Sequence, residues 1–169
     1  HRVGMRDQEE RDEYLRFAAW KPEKEGEMGD RERFAYLQER EQFILTVCAN
    51  GYGKVSSAYE YRRTGRGGQG ITNIDNIARN GPVVASFPVR HGQQLMLVTD
   101  QAKLIRLPLD LRHLTQDEDA AEKAFRIIGR SSAGVRLFNV ADDETIVSAV
   151  RIEESAEADE APANDEAEA

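Results

Sequence analysis

At 169 residues and 19.0 kDa the chain is long enough for one ordinary domain or a few repeat units and too short for a complete multidomain enzyme. Its formal net charge of -8 and pI near 5.0 weigh at first sight against a nucleic-acid partner, because phosphate contacts need Lys and Arg. One cysteine, Cys48, excludes an internal disulfide; His1, His91 and His113 have no metal-ligand spacing; and the lack of an 18-residue apolar run or a signal peptide predicts a soluble chain that is not exported.

The start at His1 rather than Met predicts a piece of a longer polypeptide. Residues 8–20 read as a helix, with Asp7/Arg11 and Asp12/Arg16 spaced four apart and Tyr14, Leu15 and Ala18 forming an apolar stripe. A charged loop over 21–29 follows. Asp30 then caps a second predicted helix with Phe34 and Leu37 on its apolar side. These two charged helices read as an insertion on the edge of something larger, and Trp20 at the end of the first is predicted to pack against it.

From Phe43 the pattern becomes β-like. Residues 43–49 run into Asn50-Gly51, a pair suited to the positive φ of a tight hairpin, and 52–61 return. Residues 70–77 lead through Arg79-Asn80-Gly81 to Val83–Val89, where Val83, Ala85, Phe87 and Val89 alternate onto one face. A second hairpin is predicted from 94–99 and 103–107 around Asp100-Gln101-Ala102. Thr115-Gln116-Asp117-Glu118 reads as a capping box opening a short helix, and 134–140 and 145–152 complete the β pattern. The fold class predicted is all-β with helical insertions.

Three stretches repeat. Leu45-Thr46-Val47, a turn and Lys54 recur as Met96-Leu97-Val98, a turn and Lys103; Arg66–Ile71 recurs as Arg130–Val135; and Val83-Val84 aligns with Ile146-Val147. The excess length of the second copy matches the capped helix near 115–125. A four-stranded unit of about fifty residues is the period of propeller-like blades, which need neighbours to bury their faces. The units assigned are 1–42, a remnant of a preceding blade with the helical insertion; 43–93, a penultimate blade; 94–152, a final blade; and 153–169, a tail.

Charge is unevenly placed along these units. Residues 1–42 hold 9 basic and 12 acidic side chains, 43–111 hold 8 and 4, 112–152 hold 6 and 7, and 153–169 hold 0 and 8. The whole net charge therefore equals that of the tail. Its Glu, Asp, Ala, Ser, Asn and Pro cannot bury enough apolar surface to offset ordering, which predicts disorder. Such a tail is either a solubilising terminus or a phosphate mimic competing for a basic surface on its own body.

That basic surface is predicted around Tyr61-Arg62-Arg63-Thr64-Gly65-Arg66-Gly67-Gly68-Gln69-Gly70. Glycine lets a backbone approach a ligand and bares its amides, while Arg forks match phosphate oxygens, a combination suited to a sugar-phosphate backbone without base reading. The candidate DNA-binding residues are Lys54, Arg62, Arg63, Arg66, Gly67, Gly68, Gly70 and Arg79. The spacing fits neither a Walker loop nor a dinucleotide fingerprint. Tyr59 and Tyr61 lack an organised base and metal and read as packing material; Cys48 reads as core, and Asp142-Asp143-Glu144 as a solvated turn. No catalytic residue and no metal ligand is assigned.

The segments 44–54, 61–71 and 79–84 resemble late blades of the C-terminal domains of DNA gyrase A subunits. Residues 94–106 and 129–135 resemble the final blade. The acidic tail is typical of many members, and the helices of 8–42 resemble an inter-blade insertion of some bacterial lineages, with His1-Arg2-Val3 the end of the preceding blade. The resemblance implies a six-bladed β-pinwheel, of which this chain supplies about the last third, wrapping double-stranded DNA on its rim. It also implies a cytoplasmic, ATP-dependent type II topoisomerase that introduces negative supercoils as an A2B2 assembly with the gyrase B subunit, with ATP and Mg bound elsewhere. The family's box, Gln-basic-Arg-Gly-Gly-basic-Gly, belongs to the first blade; Thr64–Gly70 matches four of its seven positions and reads as a degenerate copy. Two alternatives stand beside this reading: the C-terminal domain of the topoisomerase IV A subunit, and a propeller-type scaffold whose arginines meet acidic proteins.

Overall fold

The computed structural model describes residues 6–153. The predicted acidic tail beyond Glu153 and the remnant at His1-Arg2-Val3 lie outside the described residues.

Helix α1 (Gln8–Phe17) starts because the Asp7 carboxylate accepts from the Glu10 amide at 2.9 Å, with Glu9 and Glu10 favourably placed in its first turn. Helix α2 (Arg31–Glu39) starts in the same way, Asp30 accepting from the Arg33 amide at 3.0 Å. Asp7 thus caps the helix and makes no ion pair with Arg11, whose partner is Asp12 at 3.5 Å. The helices are joined by a bidentate ion pair, Arg33 Nε to Glu10 Oε1 at 2.6 Å and Nη2 to Oε2 at 3.2 Å. Tyr14, Ala18 and Leu37 are buried beneath them against Tyr59. Glu41 fastens this unit to the sheets: it accepts from Tyr14 Oη at 2.6 Å, Trp20 Nε1 at 2.8 Å and Ser57 Oγ at 2.5 Å. Trp20 also packs on the main core.

The first sheet is built on strand β1 (Phe43–Cys48), flanked by β2 (Tyr52–Ser57) and β3 (Val83–Val89), all antiparallel. The second is built on β4 (Gln93–Thr99), flanked by β5 (Leu104–Leu109) and β7 (Ile146–Ile152). The orders β3-β1-β2 and β7-β4-β5 are the same arrangement twice. Even the irregularities recur: the β1–β3 register slips between Val47 and Cys48, and the β4–β7 register slips between Val98 and Thr99. In β3 the extra residue is Val84, which turns toward the core and leaves Val83 exposed, so the predicted apolar face begins at Ala85. The turns correspond too, Gly51 (φ 87) in one hairpin and Ala102 (φ 61) in the other. Asn50 is not left-handed; its side chain donates instead to the Arg79 carbonyl at 3.1 Å.

Strand β6 (Val135–Arg136) joins the two units. It follows β5 and helix α3 (Glu118–Lys123) in the chain yet pairs with β2 of the first sheet, Gly53 opposite Val135 and Tyr52 opposite Arg136. The first sheet therefore has four strands and the second three. Leu45, Val47, Leu95, Leu97, Leu109 and Ile146 form one continuous core with both sheets contributing, each buried side chain stabilising by about 1.5–3 kcal/mol.

Several predicted elements differ. The return strand stops at Ser57, whose hydroxyl accepts from the Tyr59 amide at 3.2 Å and opens a 3-10 turn over Ala58–Glu60. Residues 61–77 form no strand; Ile71-Thr72, the repeat partner of Val135-Arg136, has no strand edge beside it among the described residues. The predicted strand over 134–140 shrinks to the two residues that reach β2. Helix α3 is capped by Asp117, accepting from the Ala120 amide at 3.0 Å, while Thr115 Oγ1 donates back to the Leu111 carbonyl at 2.9 Å, so a simple cap two residues later replaces the predicted capping box.

Candidate nucleic-acid interface

The Arg- and Gly-rich segment lies between the 3-10 turns Ala58–Glu60 and Ala78–Asn80. Its base is fixed. The Tyr61 hydroxyl donates to Asn73 Oδ1, Asn73 Nδ2 donates to Thr46 Oγ1 on β1 at 2.8 Å, and Arg130 Nη1 donates to the Thr72 carbonyl. Beyond this base Arg62 to Gly70 are all exposed. No amide from Arg62 to Thr72 finds an acceptor among the described residues, although every one of these residues carries an N–H.

Gly67 (φ 74) and Gly70 (φ 80) are left-handed, a conformation that residues with a Cβ adopt at a cost. A Cβ placed at Gly65, Gly67 or Gly70 would meet nothing within 4 Å, and one at Gly68 only the Gly65 carbonyl at 3.8 Å. Internal packing therefore does not explain these glycines. They shape a loop whose amides have no acceptor among the described residues and are open to an incoming anion.

The charges on this loop are equally unengaged. All four ion pairs among the described residues, Arg11–Asp12, Arg31–Glu27, Arg33–Glu10 and Arg40–Glu39, lie in the helical insertion. Arg62, Arg63 and Arg66 are exposed and pair with no carboxylate among the described residues. Arg79 is exposed at the turn before β3, where Nη2 donates to the Gly134 carbonyl at 3.2 Å and the guanidinium lies 4.9 Å from the Tyr52 ring centroid. Sequence reasoning passed over Tyr52 and Arg136. The latter sits one residue beyond the repeat of the Arg66 motif, and its position against Tyr52 depends on the strand crossing.

Lys54 corrects one expectation. It is 1% exposed, and Nζ donates to the carbonyls of Gly129 (3.0 Å), Arg130 and Ser132 (3.2 Å), so it ties β2 to the second unit and has no face for a phosphate. Burial pushes its amine down to about 8, against the pull of Glu60 and with the push of Arg130. Register also removes its proposed counterpart: Lys54 stands opposite Thr46, and the residue opposite Leu97 is Ile105, whereas Lys103 is exposed in the turn.

Cys48 is buried in β1, where burial raises its thiol pKa. Tyr59 is buried and its hydroxyl donates to the Leu37 carbonyl at 2.8 Å; burial, then the Glu41 charge, pushes its phenol up to about 12. In the predicted acidic turn Asp142 and Asp143 are exposed, but Glu144 is buried. Among the described residues no three His, Cys, Asp or Glu side chains converge to hold a metal ion, and no helix is long and apolar enough to cross a membrane.

Two copies of one antiparallel motif, linked by a crossing strand and bearing an exposed basic loop, place the protein in the β-propeller class. The sequence model of one family, described as DNA gyrase C-terminal domain, beta-propeller, matches residues 42–90, 93–111 and 121–153, and the chain belongs to that family. The DNA gyrase A subunit of Granulibacter bethesdensis is 48% identical over 130 residues, covering 76% of this chain and 12% of that protein. The chain thus spans about an eighth of the length of this curated relative. Among solved structures, the DNA gyrase A C-terminal domain superposes with a TM-score of 0.52 at 22% identity, over 68% of this chain and 34% of that one. The C-terminal domain of DNA topoisomerase IV gives the same TM-score at 13% identity, over 66% and 31%. Both structures share the fold, while the family description and the curated relative name gyrase.

Proposed function

We propose that the chain contributes to the DNA-wrapping surface of a DNA gyrase A subunit, holding double-stranded DNA by its phosphates without reading bases. On this reading it works in a type II topoisomerase, an A2B2 assembly with the gyrase B subunit in the cytoplasm, where ATP-driven supercoiling, with its ATP and Mg, takes place on other parts of the assembly. The observation that carries the proposal is the loop over 62–72, whose three exposed guanidinium groups have no carboxylate partner, and whose amides have no acceptor, among the described residues. Arg62, Arg63 and Arg66 supply long-range attraction and paired hydrogen bonds to phosphate oxygens. The amides near Gly67, Gly68 and Gly70 supply short, directional contacts that a wrapped backbone can use at any sequence. Arg79 extends the same charge beside β2.

The test is replacement of Arg62, Arg63 and Arg66 by Ala in the complete gyrase A chain, with DNA affinity measured against salt. Each lost phosphate contact lowers the steepness of log affinity against log salt by about 0.9. A slope that stays at the wild-type value would favour the protein-scaffold reading.

A further inference from the structure

We propose that Arg136 and Arg79 form a second phosphate site, a clamp across the junction of the two repeat units that uses the Tyr52 ring as its template. The inference rests on the DNA-binding reading above and adds a contact that the Arg- and Gly-rich loop does not contain.

The guanidinium carbons of Arg79 and Arg136 lie 4.9 and 5.1 Å from the same Tyr52 ring centroid. Each side chain is held by a single well-formed bond, Arg136 Nη2 donating to Tyr52 Oη at 2.8 Å and Arg79 Nη2 to the Gly134 carbonyl at 3.2 Å. Arg136 Nη1 makes only a long contact with Asn139 Oδ1, at 3.5 Å. A guanidinium carries five N–H donors, so most of those on both residues remain unused. Both arginines are exposed, and neither pairs with a carboxylate among the described residues.

Two like charges on one ring repel each other, and cation–π attraction to Tyr52 opposes that repulsion only in part. An oxyanion reached by the free donors of both offsets that repulsion. The planar forks select an oxyanion able to take paired hydrogen bonds, and along a duplex that oxyanion is the phosphodiester. Arg79 comes from the turn before β3, and Arg136 comes from β6, which reaches this position only by pairing with β2. Tyr52 stands directly opposite Arg136 in that pairing. The clamp therefore exists only when the two units are docked, so DNA held here also holds the junction together.

The experiment compares Arg136→Gln, Arg79→Gln, the double variant and Arg136→Lys in the complete gyrase A chain, with the Arg62/Arg63/Arg66→Ala triple as reference. Binding of a DNA duplex is measured across a salt series. Each Gln variant is expected to lower the slope by up to about 0.9, and the double by about 0.9 rather than twice that, because one shared phosphate is lost in every case. Arg136→Lys keeps the charge but loses the fork and the stacking, so it is expected to keep the slope and bind several-fold more weakly. Should Arg136→Gln unfold the junction, Arg79→Gln, which touches no strand pairing, carries the same test. A wild-type slope in both Gln variants, with a reduced slope in the triple, would overturn the clamp and leave the DNA-binding reading standing. Wild-type slopes in the triple as well would remove that reading and the clamp with it.

Discussion

Lys54 and Glu41 are ionisable groups that the fold encloses and supplies with partners. Replacing Lys54 by Ala leaves the carbonyls of Gly129, Arg130 and Ser132 without their donor. We predict a loss of about 1–3 kcal/mol in a denaturant titration, with the salt slope of DNA binding unchanged in the folded protein. A reduced slope at full stability would return Lys54 to the interface. Glu41 titrates in the opposite sense to an ordinary paired carboxylate. Burial raises its pKa, against the hydrogen bonds from Ser57, Tyr14 and Trp20. The folded chain then takes up the proton before the unfolded chain does. The carboxyl's contribution to stability is therefore lowest at neutral pH and grows as the pH falls through its folded-state value toward about 4.3, the unfolded one. Glu41→Gln lacks that titration and has one oxygen for three donors, so it is predicted to cost about 1–3 kcal/mol at pH 7. The gap should widen on acidification; one that narrows contradicts this account of the site. Lys54 and Arg66 show what one-dimensional reading misses. Each is a cation near glycines in the sequence, but only the carbonyls of a segment some 75 residues away mark the lysine as internal.

Strand β6 is the element on which the joining of the two units depends, and Gly134 sets its path. Gly134 has φ 85, and a Cβ there would lie 2.6 Å from the Gly53 carbonyl oxygen. Its repeat partner Gly70 has φ 80 in open space. Gly134→Ala is therefore predicted to cost about 2–4 kcal/mol, from left-handed strain and a backbone clash together, and Gly70→Ala about 1–2 kcal/mol from strain alone. Equal shifts in unfolding midpoint would contradict the crossing. Much of the element pattern was legible in the sequence: the hairpins meet at Asn50-Gly51 and Asp100-Gln101-Ala102, and the alignment of Val83-Val84 with Ile146-Val147 marks the duplicated register slip. The crossing itself was not, since two residues have no periodicity and their partner strand lies eighty residues earlier. Residues 70–77 belong to the β pattern of the sequence yet form no strand, because strand formation also needs an edge to pair with.

For the molecule as a whole, charge separation is the dominant feature. Among the described residues the ion pairs gather in the helical insertion and the arginines beyond it pair with no carboxylate, while seven of the chain's acids follow Glu153. Counting charge by segment made this separation legible, whereas the net value of -8 concealed it. Deleting residues 154–169 from the complete gyrase A chain is predicted to tighten DNA binding at low salt, with the difference fading as screening shortens the reach of charge. Unchanged affinity at low salt would assign these acids a role in solubility alone. The central claim is that the amides of the loop over 62–72 face DNA. Hydrogen–deuterium exchange of the complete gyrase A chain, with and without duplex DNA, measures those amides directly. Fast exchange in the free protein, strong slowing across 62–72 on adding DNA and loss of that slowing in high salt is the predicted result. Protection elsewhere in the domain, with 62–72 exchanging as fast as before, would contradict it.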